Sequence, residues 1–159
     1  MEEFLEKTQN EIQKDVMDAL DFDPSISAKE ISLSVHEGIV TLRGYVSHYT
    51  EKRAAERVAQ QIKGVRAVAN EIEVKILKFY ERSDEDIARV ALDALDWNYH
   101  VPKKVGVSVE KGWITLTGKA HWEFEKKAAA DSVCSLIGVS GVTNNISVGK
   151  KLRSHTLVI

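Results

Sequence analysis

The apolar positions of the chain follow helical and strand spacing in turn. In the first half, Ile12, Val16 and Leu20 recur at helical spacing, after which Ile31 and Leu33 alternate with polar residues. Further apolar sets predict a returning strand, a second helix and a third strand: Val40 and Leu42; Ala54, Ala55, Val58, Ala59 and Ile62; Ile72, Val74 and Ile76. The predicted order is α-β-β-α-β.

The second half of the chain repeats this pattern. Residues 39–44 (IVTLRG) return as 113–118 (WITLTG), and EKRAA at 51–55 returns as EKKAA at 125–129, at a constant offset of 74 residues. Upstream the offset becomes 75, because one residue is dropped between the predicted first helix and first strand. We therefore expect an α+β protein of two tandem α-β-β-α-β units, each a three-stranded mixed sheet with two helices on one face.

The repeat also sets the expected boundaries. The first repeat covers 8–76, a short linker 77–82, and the second repeat 83–150. The segment 151–159 is either a native tail or the remnant of a third copy. Glycines that end helices or make turns recur in both units and are predicted to be structural: Gly38, Gly44, Gly64, Gly112, Gly118 and Gly138.

Composition narrows the possible partners. The 159 residues carry a net charge of −2 with a pI near 6.2, so no overall basic field attracts nucleic acid, and none is expected as a partner. The single cysteine, Cys134, excludes an intrachain disulfide and is expected to be buried on a helix. No transmembrane segment is expected. The acidic N-terminus lacks a signal-peptide pattern, which favours a cytoplasmic location, with a periplasmic one as the alternative if an export signal was removed.

Catalytic and metal-binding patterns are not found in the sequence. The five histidines lack the spacing of paired metal ligands, and the glycines are scattered singly rather than grouped in a phosphate loop. No Gly-x-Ser-x-Gly turn occurs to present a nucleophile. We therefore expect no enzymatic activity, no catalytic residues, no metal site and no cofactor.

The combined pattern resembles a known family. Residues 34–44 follow S-V-x-x-G-x-V-T-L-x-G, an alanine-rich helix comes next, and Gly64-Val65 leads to a closing strand. Nearly the same elements return in 108–148. This arrangement resembles the BON domain, named for bacterial osmotically inducible and nodulation proteins. The resemblance implies an α-β-β-α-β fold and non-catalytic modules that attach to phospholipid membranes or partner proteins, often in osmotic or envelope stress.

Aromatic and basic residues of the second repeat are the candidate binding site. Trp97 and Tyr99 follow a predicted helix, where they would anchor in a membrane interface or a partner's pocket. The alternative is that Trp97 packs under its own helix, as expected for Phe22 at the matching position, and repetition of the aromatic favours this alternative. The other candidates are Lys103, Lys104, Trp113 and Trp122. Trp113 is expected either on an open sheet face or between the repeats.

Two functions follow as hypotheses. The first is a non-enzymatic binding module that attaches peripherally to anionic phospholipid, through aromatic and basic groups of the second repeat. The second is a cytoplasmic protein-protein interaction or self-assembling scaffold pair, which includes a homo-oligomer, because small sheets expose strand edges.

Overall fold

The computed structural model describes residues 8–149, so the segment 151–159 lies outside the described residues. The chain divides into two compact units, with the division between Lys75 and Ile76. Each unit is described by itself.

The first unit has two helices and three strands in the predicted order. Their bounds are α1 Gln9–Phe22, β1 Ile31–His36, β2 Ile39–Val46, α2 Tyr49–Gln60 and β3 Ala67–Val74. The central strand β2 pairs antiparallel with β1 and parallel with β3. A short 3-10 turn, Ala28–Glu30, precedes β1.

The second unit repeats this topology. Its elements are α3 Asp84–Trp97, β4 Val105–Glu110, β5 Trp113–Ala120, α4 Glu123–Val133, β6 Gly141–Asn144 and β7 Ser147–Val148. The strand β5 pairs antiparallel with β4 and parallel with β6 and β7. The third strand, predicted as one element, is thus divided in two, although the Asn145 N–H still donates to the Leu116 carbonyl between the two parts. The predicted α+β fold with mixed sheets is otherwise confirmed.

Each core lies between the helices and one face of the sheet. In the first unit, Val16 and Leu20 of α1 are fully buried together with Val40 and Leu42 of β2 and Ala55 of α2. The second unit buries the matching set: Ala91, Leu95, Ile114, Leu116 and Ala129. Small alanines allow α2 and α4 to approach the sheet closely, and alternation along the strands leaves the opposite face uncovered by these helices.

The six repeated glycines all adopt positive φ angles, which residues other than glycine rarely tolerate: Gly38, Gly44, Gly64, Gly112, Gly118 and Gly138. The requirement is strictest at Gly44 and Gly118. A Cβ atom at Gly44 would overlap the Glu30 carbonyl, and one at Gly118 would meet the Lys104 carbonyl. These two glycines therefore let β1 and β4 start close beside the central strand.

The first residue of each opening helix holds the hairpin turn. The Gln9 side chain accepts from the Glu37 N–H (2.8 Å), and Asp84 accepts from the N–H groups of Lys111 (2.9 Å) and Gly112 (3.0 Å). Glu37 and Lys111 have φ near +50°, as a two-residue hairpin turn with a type I′ backbone requires.

The expectation that Cys134 is buried on a helix is wrong. Cys134 is only half-buried, because it follows the last residue of α4.

Candidate functional site

One end of the second unit collects most of the predicted site residues. This aromatic-lysine end is formed by the end of α3, the loop that follows it and the start of α4, and it consists of Trp97, Tyr99, Lys103, Lys104, Trp122 and Phe124. All six side chains are exposed. Five of them were predicted as site residues from the sequence, and the structure brings these five to the same end.

The expectation that Trp97 packs under its own helix is wrong. Trp97 and its counterpart Phe22 are each 88 % exposed, whereas Leu95 and Leu20, two residues earlier, are buried. Successive residues of an α-helix turn by about 100°, so a side chain two positions after a buried one points away from the core. Both aromatics are therefore repeated surface residues.

The loop after α3 is anchored to α4. The Asn98 side chain donates to the Ser132 hydroxyl (3.0 Å), which in turn donates to the Ala128 carbonyl (2.8 Å). The Asn98 carbonyl group also accepts from the backbone N–H of Val101, whose side chain is 7 % exposed. These contacts fix the ends of the loop, while Tyr99 between them is 88 % exposed.

The His100 side chain joins the loop to α4, and the Glu125 side chain caps the start of α4. The His100 ring lies 4.3 Å from the Tyr99 ring and meets the Phe124 ring edge-on at 5.9 Å, measured between ring centroids. One carboxylate oxygen of Glu125 accepts from the backbone N–H groups of His121 (2.8 Å) and Trp122 (3.2 Å). The exposed aromatics thus stand on a connected framework.

The local charge differs between the repeats. The carbonyls of Glu30 and Lys104 occupy equivalent positions, each facing the glycine of the adjacent strand, so a glutamate of the first repeat corresponds to a lysine of the second. Lys103 lies beside Lys104, and both are exposed. The chain carries net negative charge, but this end presents two adjacent cations next to aromatic rings.

Trp113 lies apart from this group. It begins β5, next to the hairpin turn that Asp84 holds at the start of α3, and is therefore at the opposite end of the unit. Its ring lies over Gly141 on the uncovered sheet face, and its indole N–H donates to the Thr143 hydroxyl (2.7 Å). The side chain is 42 % exposed.

Sequence reasoning missed a repeated asparagine. Asn70 donates to the Lys52 carbonyl (3.0 Å), and Asn144 donates to the Lys126 carbonyl (2.7 Å), which ties the third strand to the second helix in each unit. The signal was identity of a polar residue at an offset of 74, two residues before the first apolar position of each predicted third strand. Phe124 was also left out of the predicted site.

The described part of the chain has no group of three or more His, Cys, Asp or Glu side chains placed to hold a metal ion. Within residues 8–149, no helix combines the length and apolar character needed to cross a membrane. The aromatic-lysine end is an exposed surface of aromatic and lysine side chains.

The chain consists of two copies of a small α+β unit, each with both helices on one face of a mixed sheet. It is therefore a tandem-domain protein. A family model for the BON domain matches residues 8–76 and 83–150. The chain therefore belongs to the BON domain family. BON domains are non-catalytic binding domains, so the chain is a pair of binding modules.

No curated protein matches the chain. Among solved structures, it is similar to CdsD, a structural protein of the type III secretion system of Chlamydia trachomatis, with 10 % identity and a TM-score of 0.39 over 94 % of this chain and 99 % of that one. The C-terminal domain of CdsD aligns with 16 % identity and a TM-score of 0.36, over 89 % of this chain and 67 % of that one. Neither likeness informs the function.

Proposed function

We propose that the protein attaches peripherally to anionic phospholipid surfaces through the aromatic-lysine end of its second repeat. The observation that carries this proposal is the exposure of Trp97 and Tyr99, each 88 %, at the end of α3 and on the loop that follows it, which also carries Lys103 and Lys104. Family membership supports a binding module, and osmotic or envelope stress is the proposed setting.

The aromatic rings and the lysine cations contribute to attachment in different ways. Tryptophan and tyrosine favour the headgroup level of a bilayer, because their rings are apolar and each has one polar group that stays hydrated. Each lysine near an anionic surface contributes on the order of 1 kcal/mol. With few such groups and a net charge of −2, the attachment is weak, reversible and sensitive to salt.

Co-sedimentation with vesicles tests the proposal. We expect binding to vesicles that contain phosphatidylglycerol, little binding to pure phosphatidylcholine vesicles, and a blue shift of tryptophan fluorescence on binding. The double variant Trp97→Ala/Tyr99→Ala should lose most of this binding. Phe22→Ala is the matched control, since Phe22 is equally exposed at the equivalent place in the first repeat. Absence of binding to anionic vesicles at low salt contradicts the proposal.

The second candidate function is self-association, which one surface feature favours. A groove of about 440 Å³ lies between α3 and the segment that follows α4, where Val90 and Ile137 are about half exposed. The first repeat has Asp15 and Lys63 at these positions. Apolar side chains at the mouth of a groove favour contact with another protein surface, here a second copy of the chain.

Sedimentation equilibrium separates this candidate from the first. Self-association predicts a concentration-dependent mass above 17.8 kDa, which the variant Val90→Asp/Ile137→Lys removes by installing the residues of the first repeat. A monomer at every concentration rules out self-association and leaves the lipid proposal unaffected.

A further inference from the structure

A cavity of about 530 Å³ opens next to the exposed rings of the aromatic-lysine end. Its apolar lining comes from Leu95, Val101 and Pro102, and its polar lining includes Asn98. The remaining lining residues are Asp96, Tyr99, Lys103 and Glu125. The cavity thus combines two carboxylates, one ammonium group and one aromatic ring, within the volume range typical of small-ligand sites.

The first repeat shows how this cavity arises. There the equivalent glutamate, Glu51, accepts from the backbone N–H of Ser27 (2.9 Å) and is only 9 % exposed, so its side chain ties the loop to α2. The second repeat has Pro102 in place of Ser27. Proline has no N–H group, so this bond cannot form, and Glu125 accepts instead from the backbone at the start of α4. The Glu125 side chain therefore lines a cavity rather than bonding to the loop.

We propose that this cavity takes a phosphoethanolamine headgroup of a phospholipid. Charge complementarity supports this ligand, because its ammonium group matches the carboxylates of Asp96 and Glu125, and its phosphate matches the ammonium group of Lys103. Tyr99 lines the cavity and the exposed Trp97 follows Asp96 in sequence, so we expect both rings to contact the glycerol and acyl chains of a bound lipid. The inference rests on the proposed function and specifies the lipid that the attachment recognises.

The charges favour a primary ammonium over a quaternary one. A primary ammonium group has three N–H donors for carboxylate and amide oxygens, and such charge-assisted hydrogen bonds are stronger than neutral ones. The trimethylammonium group of choline has no donor and would add no hydrogen bond to either carboxylate. Phosphatidylcholine is therefore the comparison lipid that differs only at the groups concerned.

The test uses the full chain and vesicles with a fixed fraction of phosphatidylglycerol, in which phosphatidylcholine is replaced by phosphatidylethanolamine. We expect binding to strengthen about fivefold on this replacement. Asp96→Asn should lose the gain while keeping its binding to the phosphatidylcholine mixture. Asp21→Asn, at the equivalent position of the first repeat, should keep both the gain and the binding to the phosphatidylcholine mixture. Pro102→Ser restores the loop N–H and should reduce the gain, because Glu125 can then bond as Glu51 does.

Equal binding of the original chain to both mixtures overturns the proposal. So does a gain that persists in Asp96→Asn, because altered lipid packing then explains it.

A titration with soluble glycerophosphoethanolamine, followed by amide shifts of Asp96 and Lys103, separates this inference from the proposed function. Binding in the millimolar range without vesicle attachment supports the headgroup site and rejects membrane attachment. Anionic vesicle attachment without any shift or lipid preference rejects the headgroup site and supports attachment.

Discussion

Gly44 and Gly118 lie on the central strands, opposite the first residues of β1 and β4. At each glycine a backbone carbonyl occupies the place where any other residue would carry its Cβ atom. Replacement by alanine would push a methyl group into that carbonyl at a φ angle above +120°. We expect Gly44→Ala to lower the free energy of unfolding by about 3 kcal/mol, as measured by urea denaturation. Gly149→Ala is the control, because its nearest neighbour lies 3.8 Å from the added carbon. Equal stability of the two variants would contradict the close approach.

A second prediction concerns the asparagine that both repeats share. Asn144 donates to the Lys126 carbonyl, and its side-chain oxygen accepts from the Ile146 N–H (3.2 Å). Removal breaks the hydrogen bond between β6 and α4 and leaves the Ile146 N–H without its side-chain acceptor, so Asn144→Ala should cost about 2 kcal/mol of unfolding free energy in urea denaturation. Asn145→Ala, one residue along and exposed, should cost far less. A similar loss in both variants would point to strand propensity instead.

These two kinds of residue were not equally predictable. A glycine repeated at a turn or strand indicates a backbone conformation or a close approach that only glycine allows. The structural role of Gly44 could therefore be predicted from the sequence. An asparagine in a strand is usually a solvent-facing residue. Its bond to a helix carbonyl depends on how close α2 and α4 lie to the sheet, which only the assembled unit determines.

The end of α1 depends on a small hydrogen-bonded turn. The hydroxyl and backbone N–H of Ser25 both donate to Asp23 and lower the pKa of its carboxyl group. Because the pKa is lowered in the folded state, the stabilisation is present above the unfolded value of 3.8 and is lost as pH falls through the folded value. We expect Ser25→Ala to raise the pKa of Asp23 part of the way back, as measured by carboxyl NMR titration. Ser27→Ala should leave it unchanged, and an unshifted pKa in Ser25→Ala would refute the turn's role.

At the same scale, periodicity predicted every α-helix and nearly every strand of residues 8–149, but not which way the terminal aromatics point. Phe22 and Trp97 recur at one position, and recurrence is compatible with a shared core role or a shared surface role. Helix phase decides between them: each aromatic lies two residues after a buried leucine and therefore points to solvent. The break between β6 and β7 was likewise not visible in the alternation of apolar residues.

For the whole molecule, the relevant electrostatic quantity is the placement of charge rather than its sum. A net charge of −2 predicts weak repulsion from an anionic surface, yet the second repeat places Lys103 and Lys104 beside exposed rings. The sequence showed this cluster, but not that the chain turn brings Trp122 and Phe124 to the same end. That grouping arises because β5 begins at the hairpin turn beside the start of α3 and runs in the same direction as α3, so the start of α4, which follows β5, lies beside the end of α3.

Two double variants with equal net charge but different charge positions test whether the placement of charge governs attachment. Lys103→Glu/Lys104→Glu and Lys29→Glu/Lys63→Glu each lower the net charge by four, and all four lysines are exposed. If overall charge governed attachment, both variants would lose affinity for phosphatidylglycerol vesicles equally. If the aromatic-lysine end governs it, the first variant loses about tenfold or more, and its remaining binding depends less on salt, while the second changes little. Vesicle co-sedimentation across a salt series measures both affinity and slope. Because Lys29 and Lys63 belong to the first repeat, the comparison also assigns attachment to one repeat without separating the two.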